Sequence, residues 1–509
     1  MKFSEKLDKY FKISERGSTI KTEIVAGLTT FFAMAYIVVT NPDQVTNFYD
    51  RVGDIATIWN AVYVASILVA VAGTLLYAFY AKMPFAQACG MGLNSFFAVA
   101  FIIPAVVGNT SPIEGYREGL SIILISGILF LILSLTGARQ YIARALPDCL
   151  KKAIPAGIGL FIAFIGFKNV GIIQANQYTF VQLFDFHGIF SAVGLNIDEM
   201  AKEGFSAGVV SAYTSALNYN PVAVATYLDA WRLTAPVIFA LLGLFLVAVL
   251  EKKKVKGSVM ITIAATTIVY YLATWQVPNF NFQSIGDTFV DFGKYGIFGA
   301  FKGFSTLFIG GITAVINAIV LVITFTLVDM FDTIGTLYGA ASQADMLDEN
   351  GDPIDIDKCM ACDSIATATG AVLGTSTCTT FVESASGVAA GGRTGLASLV
   401  TAACFFVCLF LSPVAAIVPT CATAPALIYV GVLMLKNFAK VDMSDITSAV
   451  PAFLALVMMP LTYSISNGIA VGAIAYTLIT LAMGKFKKKD IIVAGIAVLF
   501  ALRFALQSM

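Results

Sequence analysis

The sequence predicts an all-α polytopic membrane protein, and three observations carry that reading. The 509 residues are 58% hydrophobic and 12% charged, with a mean hydropathy of +0.85, far from the half-apolar, quarter-charged mixture of soluble domains. Apolar runs recur along the chain, many of them near the ~17 to 25 residues that cross hydrocarbon at ~1.5 Å of rise per residue. Three carboxylates, Asp329, Asp332 and Glu383, lie inside such runs. A charge near the bilayer centre costs roughly 3 kcal/mol, so acids kept there face a bundle interior or a water-filled cavity and serve transport. Basic and acidic residues balance at 31 each, which excludes the broad basic field of a nucleic-acid binder.

The N-terminal tract 1–21 is charged and amphipathic, with no short apolar region ending in a small-residue cleavage site, so no cleaved signal is expected. The spans then follow in order. Helix 1 is read over Ile24 to Val39, helix 2 over Trp59 to Tyr80, a broken helix 3 over Pro84 to Ile103, helix 4 over Ile122 to Leu135 and helix 5 over Ala153 to Phe167. A long extramembrane stretch, Gln174 to Trp231, holds the single histidine, His187. Helices 6 and 7 occupy Pro236 to Leu250 and Val259 to Ala273. The second half supplies helix 8 (Ile316 to Ala341), helix 9 (Ile365 to Leu373), a broken helix 10 (Thr379 to Ala390) and helix 11 (Leu396 to Ile417). Helices 12, 13 and 14 are Pro425 to Leu435, Val450 to Ser464 and Ile469 to Met483. A last apolar run, Ile491 to Leu506 with Arg503 on it, is either a further span or a segment lying against the membrane or the bundle.

Lysine and arginine in the short loops alternate as a cytoplasmic N-terminus requires: the N-terminal tract, Lys82, Arg139 with Arg144 and Lys151, Lys252 to Lys256, Lys436 with Lys440, and Lys485 to Lys489. The acidic stretch Asp345 to Asp363 reads as a solvated hairpin loop, with Asp363 as the N-cap of helix 9. Helices 3 and 10 are both short and interrupted by small residues. Seven spans per half is an odd number, so a second copy must be inverted, and paired broken helices at matching places point to a transporter's binding site.

Around the two breaks the chain reads Ala88-Cys89-Gly90-Met91-Gly92-Leu93-Asn94-Ser95 and Gly374-Thr375-Ser376-Thr377-Cys378-Thr379-Thr380 before Glu383. Glycine and hydroxyl residues favour extended or turn backbone ahead of a helix start, which frees N–H groups for polar ligand atoms. Gly90, Thr375, Ser376 and Thr377 are therefore candidate break and cavity backbone. Small-residue packing between helices would explain the glycines and serines but not Asn94 or Glu383. Asp329 and Asp332, at i and i+3, share a helix face. A carboxylate in such a cavity can accept two N–H bonds from a flat heterocycle such as a purine, or take up and release a proton as the cavity opens to each side. Phe331 and Phe381 are candidates to stack on a base, with lipid-facing packing as the alternative. Arg393 reads as an interfacial turn residue. The eight cysteines are read as small packing residues. No metal site is expected, because Cys359 and Cys362 form one CxxC with no second pair and no nearby histidine.

These segments resemble the hypoxanthine, guanine and adenine permease family, a branch of the xanthine/uracil permease superfamily. The matching stretches include Glu23 to Phe31, Met34 to Ile37, Gly90 to Asn94, Val328 to Leu337, Gly374 to Ser376, Glu383 to Ala385, Gly391 to Leu396 and Pro460 to Ile465. The resemblance implies fourteen spans in a seven-plus-seven inverted repeat, with short strands in the broken helices 3 and 10. It implies a core domain from residues 22–137 (helices 1 to 4) and 301–419 (helices 8 to 11). It also implies a gate domain from 138–300 (helices 5 to 7, with the extracytoplasmic segment 174–231) and 420–509 (helices 12 to 14 and the C-terminal run). By the same resemblance Asn94, Gly92, Asp329 and Glu383 would meet a purine nucleobase, and Asp332, with Asp329 and Glu383, would couple its movement to protons. Cys89, Val382 and the long segment 174–231 depart from the family's usual pattern.

The expectation is a proton-coupled importer of hypoxanthine, guanine or adenine in the cell membrane, working by alternating access without a cofactor. Sodium coupling stays open, because Thr375 to Thr380 offers hard oxygen ligands, and a homodimer is expected on fold analogy alone. The alternative is a transporter or exchanger of anions or other small solutes on the same fold. A membrane-embedded enzyme is disfavoured by the lack of an HExxH pair or of any histidine placed for nucleophilic catalysis.

Overall fold

The computed structural model describes residues 3–47, 49, 51–108, 110–136, 147–176, 179–195, 209, 226–255, 257–278, 284–307, 311–343, 346, 353–381, 383–436 and 438–507. Among these, nine helices are long and apolar enough to cross a membrane, and shorter apolar helices accompany them. The outer surface carries large apolar side chains, such as Leu135, Phe245, Leu272 and Leu461, all at least 70% exposed, whereas Asn41, Asn94, Asp329 and Asp363 are wholly buried. That inversion of the soluble pattern is what a chain solvated by lipid requires.

The chain divides into two compact units, one of Met1–Phe161, Asn281–Ala415 and Gly431–Met509, the other of Ile162–Phe280 and Ala416–Val430. The second unit packs its helices around Val170, Ile189, Val209, Val237, Phe239 and Cys421. Its β2 (Ile173–Asn176) and β3 (Phe180–Leu183) form an antiparallel hairpin. His187 is exposed on the short helix Phe186–Ser191 rather than in a loop. Helical structure resumes within the stretch expected to run to Trp231: the helix Tyr227–Lys252 starts at a capping box between Thr226 and Asp229. Residues 196–208 and 210–225 of that stretch lie outside the described residues.

In the first unit, helix 1 is longer than its apolar run. It covers Ile20–Met34 and Ile37–Val45, joined by a tightened turn in which Val38 and Val39 N–H donate to the Ala35 and Tyr36 carbonyls. Polarity misplaced its end, since Thr40, Asn41, Asp43 and Gln44 are buried against protein, not facing lipid. The N-terminal tract includes the helix Phe3–Phe11. It is anchored by Phe11 and Ile13 against Leu396 and by Arg16, which donates to the Lys82 and Arg393 carbonyls.

The segment before helix 9 departs further from expectation. The helix runs Ile356–Leu373, so the expected loop is helical from residue 356, and residues 344–345 and 347–352 lie outside the described residues. Asp363 does not cap it. It stands mid-helix and fully buried, and Asp355 precedes the first turn instead. Cys359 and Cys362 are buried, free thiols on the same helix.

The two breaks meet. β1 (Gln87–Cys89) pairs antiparallel with β4 (Cys378–Thr380) in the register Gln87 to Thr380, Ala88 to Thr379 and Cys89 to Cys378. Gly90 N–H to Thr377 O at 3.1 Å and Phe381 N–H to Ala86 O at 3.0 Å extend the pairing by one bond at each end. β1 leads into the helix Met91–Phe97, and β4 into Ser384–Ala389. Gly374 makes the turn into β4 at φ +106°, and a Cβ there would stand 2.5 Å from Gly296 Cα and 2.7 Å from the Tyr116 hydroxyl, so only glycine fits.

Candidate functional site around the strand crossing

The crossing is braced by side chains that replace the hydrogen bonds a wider sheet would supply. On one side, the Thr74 hydroxyl accepts from Gln87 N–H at 3.0 Å. On the other, Thr367 Oγ1 accepts from Cys378 N–H at 3.1 Å and lies 3.0 Å from its carbonyl. Between them sits Asp363. Its Oδ1 accepts from Gln87 Nε2, from Tyr77 OH at 3.1 Å and from Thr380 Oγ1 at 2.8 Å. Its Oδ2 accepts from Thr333 Oγ1 at 2.7 Å and Thr380 N–H at 2.9 Å. One carboxylate thus ties both strands to two helices.

The expected site residues surround this frame. Asp329, on the helix Gly311–Gln343, is fully buried; its Oδ2 accepts from Thr367 Oγ1 at 2.7 Å, and its Oδ1 has no partner. Asp332, one turn on, is partly exposed. A Cβ built on Gly90 would lie 3.3 Å from Thr379 Cγ2, 3.7 Å from Thr377 Oγ1 and 3.8 Å from Asp332 Oδ2. The absence of a side chain at Gly90 therefore leaves a space bordered by a carboxylate and by a buried hydroxyl that has no partner, Thr377 Oγ1. Asn94, one turn after Gly90 and fully buried, accepts from Ser376 Oγ and donates to Gln44 Oε1 at 3.3 Å. Gly92 is buried in the first turn of the same helix. Glu383, partly exposed and set directly before the helix Ser384–Ala389, accepts from Tyr36 OH at 2.7 Å.

The acids lie within electrostatic reach of one another, Asp332 of Asp363 and Glu383, and Asp329 of Asp363 and Asp332. Among the described residues no ion pair joins Asp329, Asp332 or Asp363 to a lysine or arginine, and no group of His, Cys, Asp and Glu could hold a metal. Their polar partners are hydroxyls and amides. Such a setting suits a neutral, hydrogen-bonding solute and protons better than an anion.

Thr375 stands apart from the other break residues. Its hydroxyl lies 3.2 Å from Ser66 Oγ and 3.2 Å from Cys89 Sγ and accepts from Asn41, so it braces the crossing against helices 1 and 2. Phe381 is buried, and the Phe331 side chain lies outside the described residues. Arg393 is partly buried, and its guanidinium donates to the Val388 and Gly392 carbonyls, while Glu23 accepts from the Arg393 and Thr394 N–H groups. Tyr36, Gln44 and Asp363 are not among the residues expected at the site. Gln44 has a signal in the polar run Thr40, Asn41, Asp43 and Gln44 that continues helix 1; Tyr36, inside the apolar run, has none, and Asp363 is hidden among surface-like acids.

Comparison with known proteins agrees with this architecture. A model of the xanthine/uracil permeases, described as "Permease family", matches residues 21–213 and 206–471. The guanine/hypoxanthine permease PbuO of Bacillus subtilis is 36% identical over 494 residues, covering 96% of this chain and 98% of its own. The adenine permease AdeQ of Escherichia coli is 32% identical over 507 residues, covering 98% and 96%. Among solved structures, the transmembrane domain of a cyanobacterial bicarbonate transporter, BicA, superposes with a TM-score of 0.52 at 14% identity over 88% of this chain and 97% of that one. Murine Slc26a9, an anion transporter in an inward-facing state, gives 0.52 at 15% identity over 92% and 69%. At these identities the two structures speak for the fold alone. The chain belongs to the xanthine/uracil permease family, and is a multi-pass membrane transporter rather than an enzyme.

Proposed function

We propose that this chain imports purine nucleobases by proton symport, moving them past the strand crossing by alternating access. The observation that carries the reading is the convergence there of Asn94, Asp329, Asp332 and Glu383, two of them fully buried and two partly exposed. Relatives named for guanine, hypoxanthine and adenine support the substrate class. Asp329 Oδ1 and Glu383 would accept ring or exocyclic N–H groups, with Asn94 and the backbone around Gly92 on the facing side. Neighbouring carboxylates titrate as a coupled set, so the proton would travel with Asp332, Asp329 and Glu383 together, and no other ion is needed.

The same reading includes fourteen spans in an inverted seven-plus-seven repeat, with helices 1 to 4 and 8 to 11 as a core moving against a gate of helices 5 to 7 and 12 to 14. The antiparallel register of β1 with β4, one strand from each half, supports it. The protein would sit in the cell membrane with a cytoplasmic N-terminus, as a homodimer by analogy of fold.

Uptake of labelled hypoxanthine into proteoliposomes tests the proposal. With the potential clamped, an acidic exterior one pH unit below the lumen should drive about tenfold accumulation for one proton per base, and a sodium gradient should drive none. Accumulation with sodium alone would overturn the coupling; no uptake of any purine under either gradient would overturn the function.

A further inference from the structure

Gln44 is 1% exposed on the second segment of helix 1. Its Oε1 is taken by Asn94 Nδ2 at 3.3 Å, and the Asn94 Oδ1 is taken in turn by Ser376 Oγ. The donors of this chain all point one way, from Ser376 through Asn94 to Gln44. The chain ends on Gln44 Nε2, two buried N–H groups with no acceptor. An unmet buried donor is costly, and here it lies beside a residue assigned to the nucleobase. What it lacks is an acceptor.

Purines differ in what they offer. Hypoxanthine and guanine carry a carbonyl at position 6, an acceptor with two lone pairs, where adenine carries an amino group, a donor. We propose that Gln44 reads position 6 of the base, and that this chain prefers 6-oxopurines to adenine. The inference rests on the purine-transport reading above and deepens it. Opposite an amide that presents only N–H groups, adenine would set donor against donor. Turning Ser376, Asn94 and Gln44 round together would end the chain on Oε1 and favour adenine instead, so the ranking of bases is a direct test of the direction in which the chain runs.

The test is competition by unlabelled hypoxanthine, guanine and adenine against labelled hypoxanthine uptake by the full-length protein in proteoliposomes. The expected result is adenine weaker by about tenfold or more, the scale of rejection a site built for one hydrogen-bonding pattern achieves. Gln44→Leu should weaken hypoxanthine about tenfold while leaving adenine where it was, and Gln44→Glu, an acceptor in place of a donor, should favour adenine. A wild-type protein that takes adenine as well as hypoxanthine overturns the proposal and leaves purine transport standing. So do variants that transport with the parent's ratio. Failure of every purine to compete removes the underlying reading and this inference with it. Should Gln44→Leu fail to reach the membrane, the wild-type ranking and Gln44→Glu decide.

Discussion

Asp363 and Asp329 stand on neighbouring helices of one compact unit, both wholly buried, yet their surroundings are built to opposite ends. Every hydrogen-bonding direction around Asp363 is filled by protein: Tyr77, Gln87 and Thr380 on one oxygen, Thr333 and the Thr380 amide on the other. Asp329 receives one hydroxyl, from Thr367, and its second oxygen receives nothing. A saturated carboxylate is a strut, since its partners already hold it and a solute could add nothing. A half-satisfied one costs stability in the empty state and recovers it when a donor arrives. Gln44 Nε2 and Thr377 Oγ1, also buried without partners, fall on the Asp329 side of this division. Burial alone thus does not separate these two carboxylates; hydrogen-bond saturation does.

The largest effect that could break the comparison is at the strut. Asp363→Ala would leave Gln87, Thr333 and the Thr380 amide without their acceptor, a loss on the order of 3–5 kcal/mol. We expect a collapse in the yield of monodisperse protein on size exclusion and a large drop in its melting temperature. A variant that melts with the parent and loses only transport would place Asp363 in the site after all. Next in size are Asp329→Asn and Glu383→Gln, which keep shape while removing a charged acceptor. Hydrogen bonds to charged groups are worth roughly 1.5–3 kcal/mol, so hypoxanthine affinity should fall about 10- to 100-fold in a direct binding assay. Melting of the empty protein should stay close to that of the parent. Unfolding of either variant, with no folded fraction left to assay, would move that residue into the frame.

Those expectations also mark how far the sequence could be read. Asp329, Asp332, Glu383 and Asn94 were legible because a polar group inside an apolar run violates the local solvent, and the violation needs no partner to be noticed. Asp363 was illegible for the converse reason. It follows a run of surface-like acids, and what makes it internal is Gln87 on β1, 276 residues away in the other half of the chain, together with Thr380 on β4. The two breaks were visible in glycine and hydroxyl composition, but not which hydroxyls would face the site. Thr377 and Ser376 turn toward Gly90 and Asn94, while Thr375, their immediate neighbour, turns the other way to Ser66 and Asn41. Strict alternation would set Thr375 and Thr377 on one face and Ser376 on the other, so the way each hydroxyl turns is fixed by tertiary contacts and not by the local sequence. Ending helix 1 at Val39 equates polarity with exposure; in a bundle whose exterior is lipid, the polar end of a helix is as readily its buried end.

The finest division falls at Tyr36, which lies at the tightened turn of helix 1 and donates to Glu383 Oε1 at 2.7 Å. The ring is fully buried and would remain so as phenylalanine, with the loss confined to one hydroxyl. If the hydroxyl's task is to hold the Glu383 carboxylate in the orientation that meets the base, Tyr36→Phe should raise the KM for hypoxanthine by about fivefold, the equivalent of ~1 kcal/mol. Maximal rate and melting temperature should hardly move. Were the hydroxyl instead part of the bracing that Asp363 exemplifies, melting would fall and KM would stay. Measuring both on the same purified variant assigns Tyr36 to one side of the comparison, because the two outcomes move different quantities.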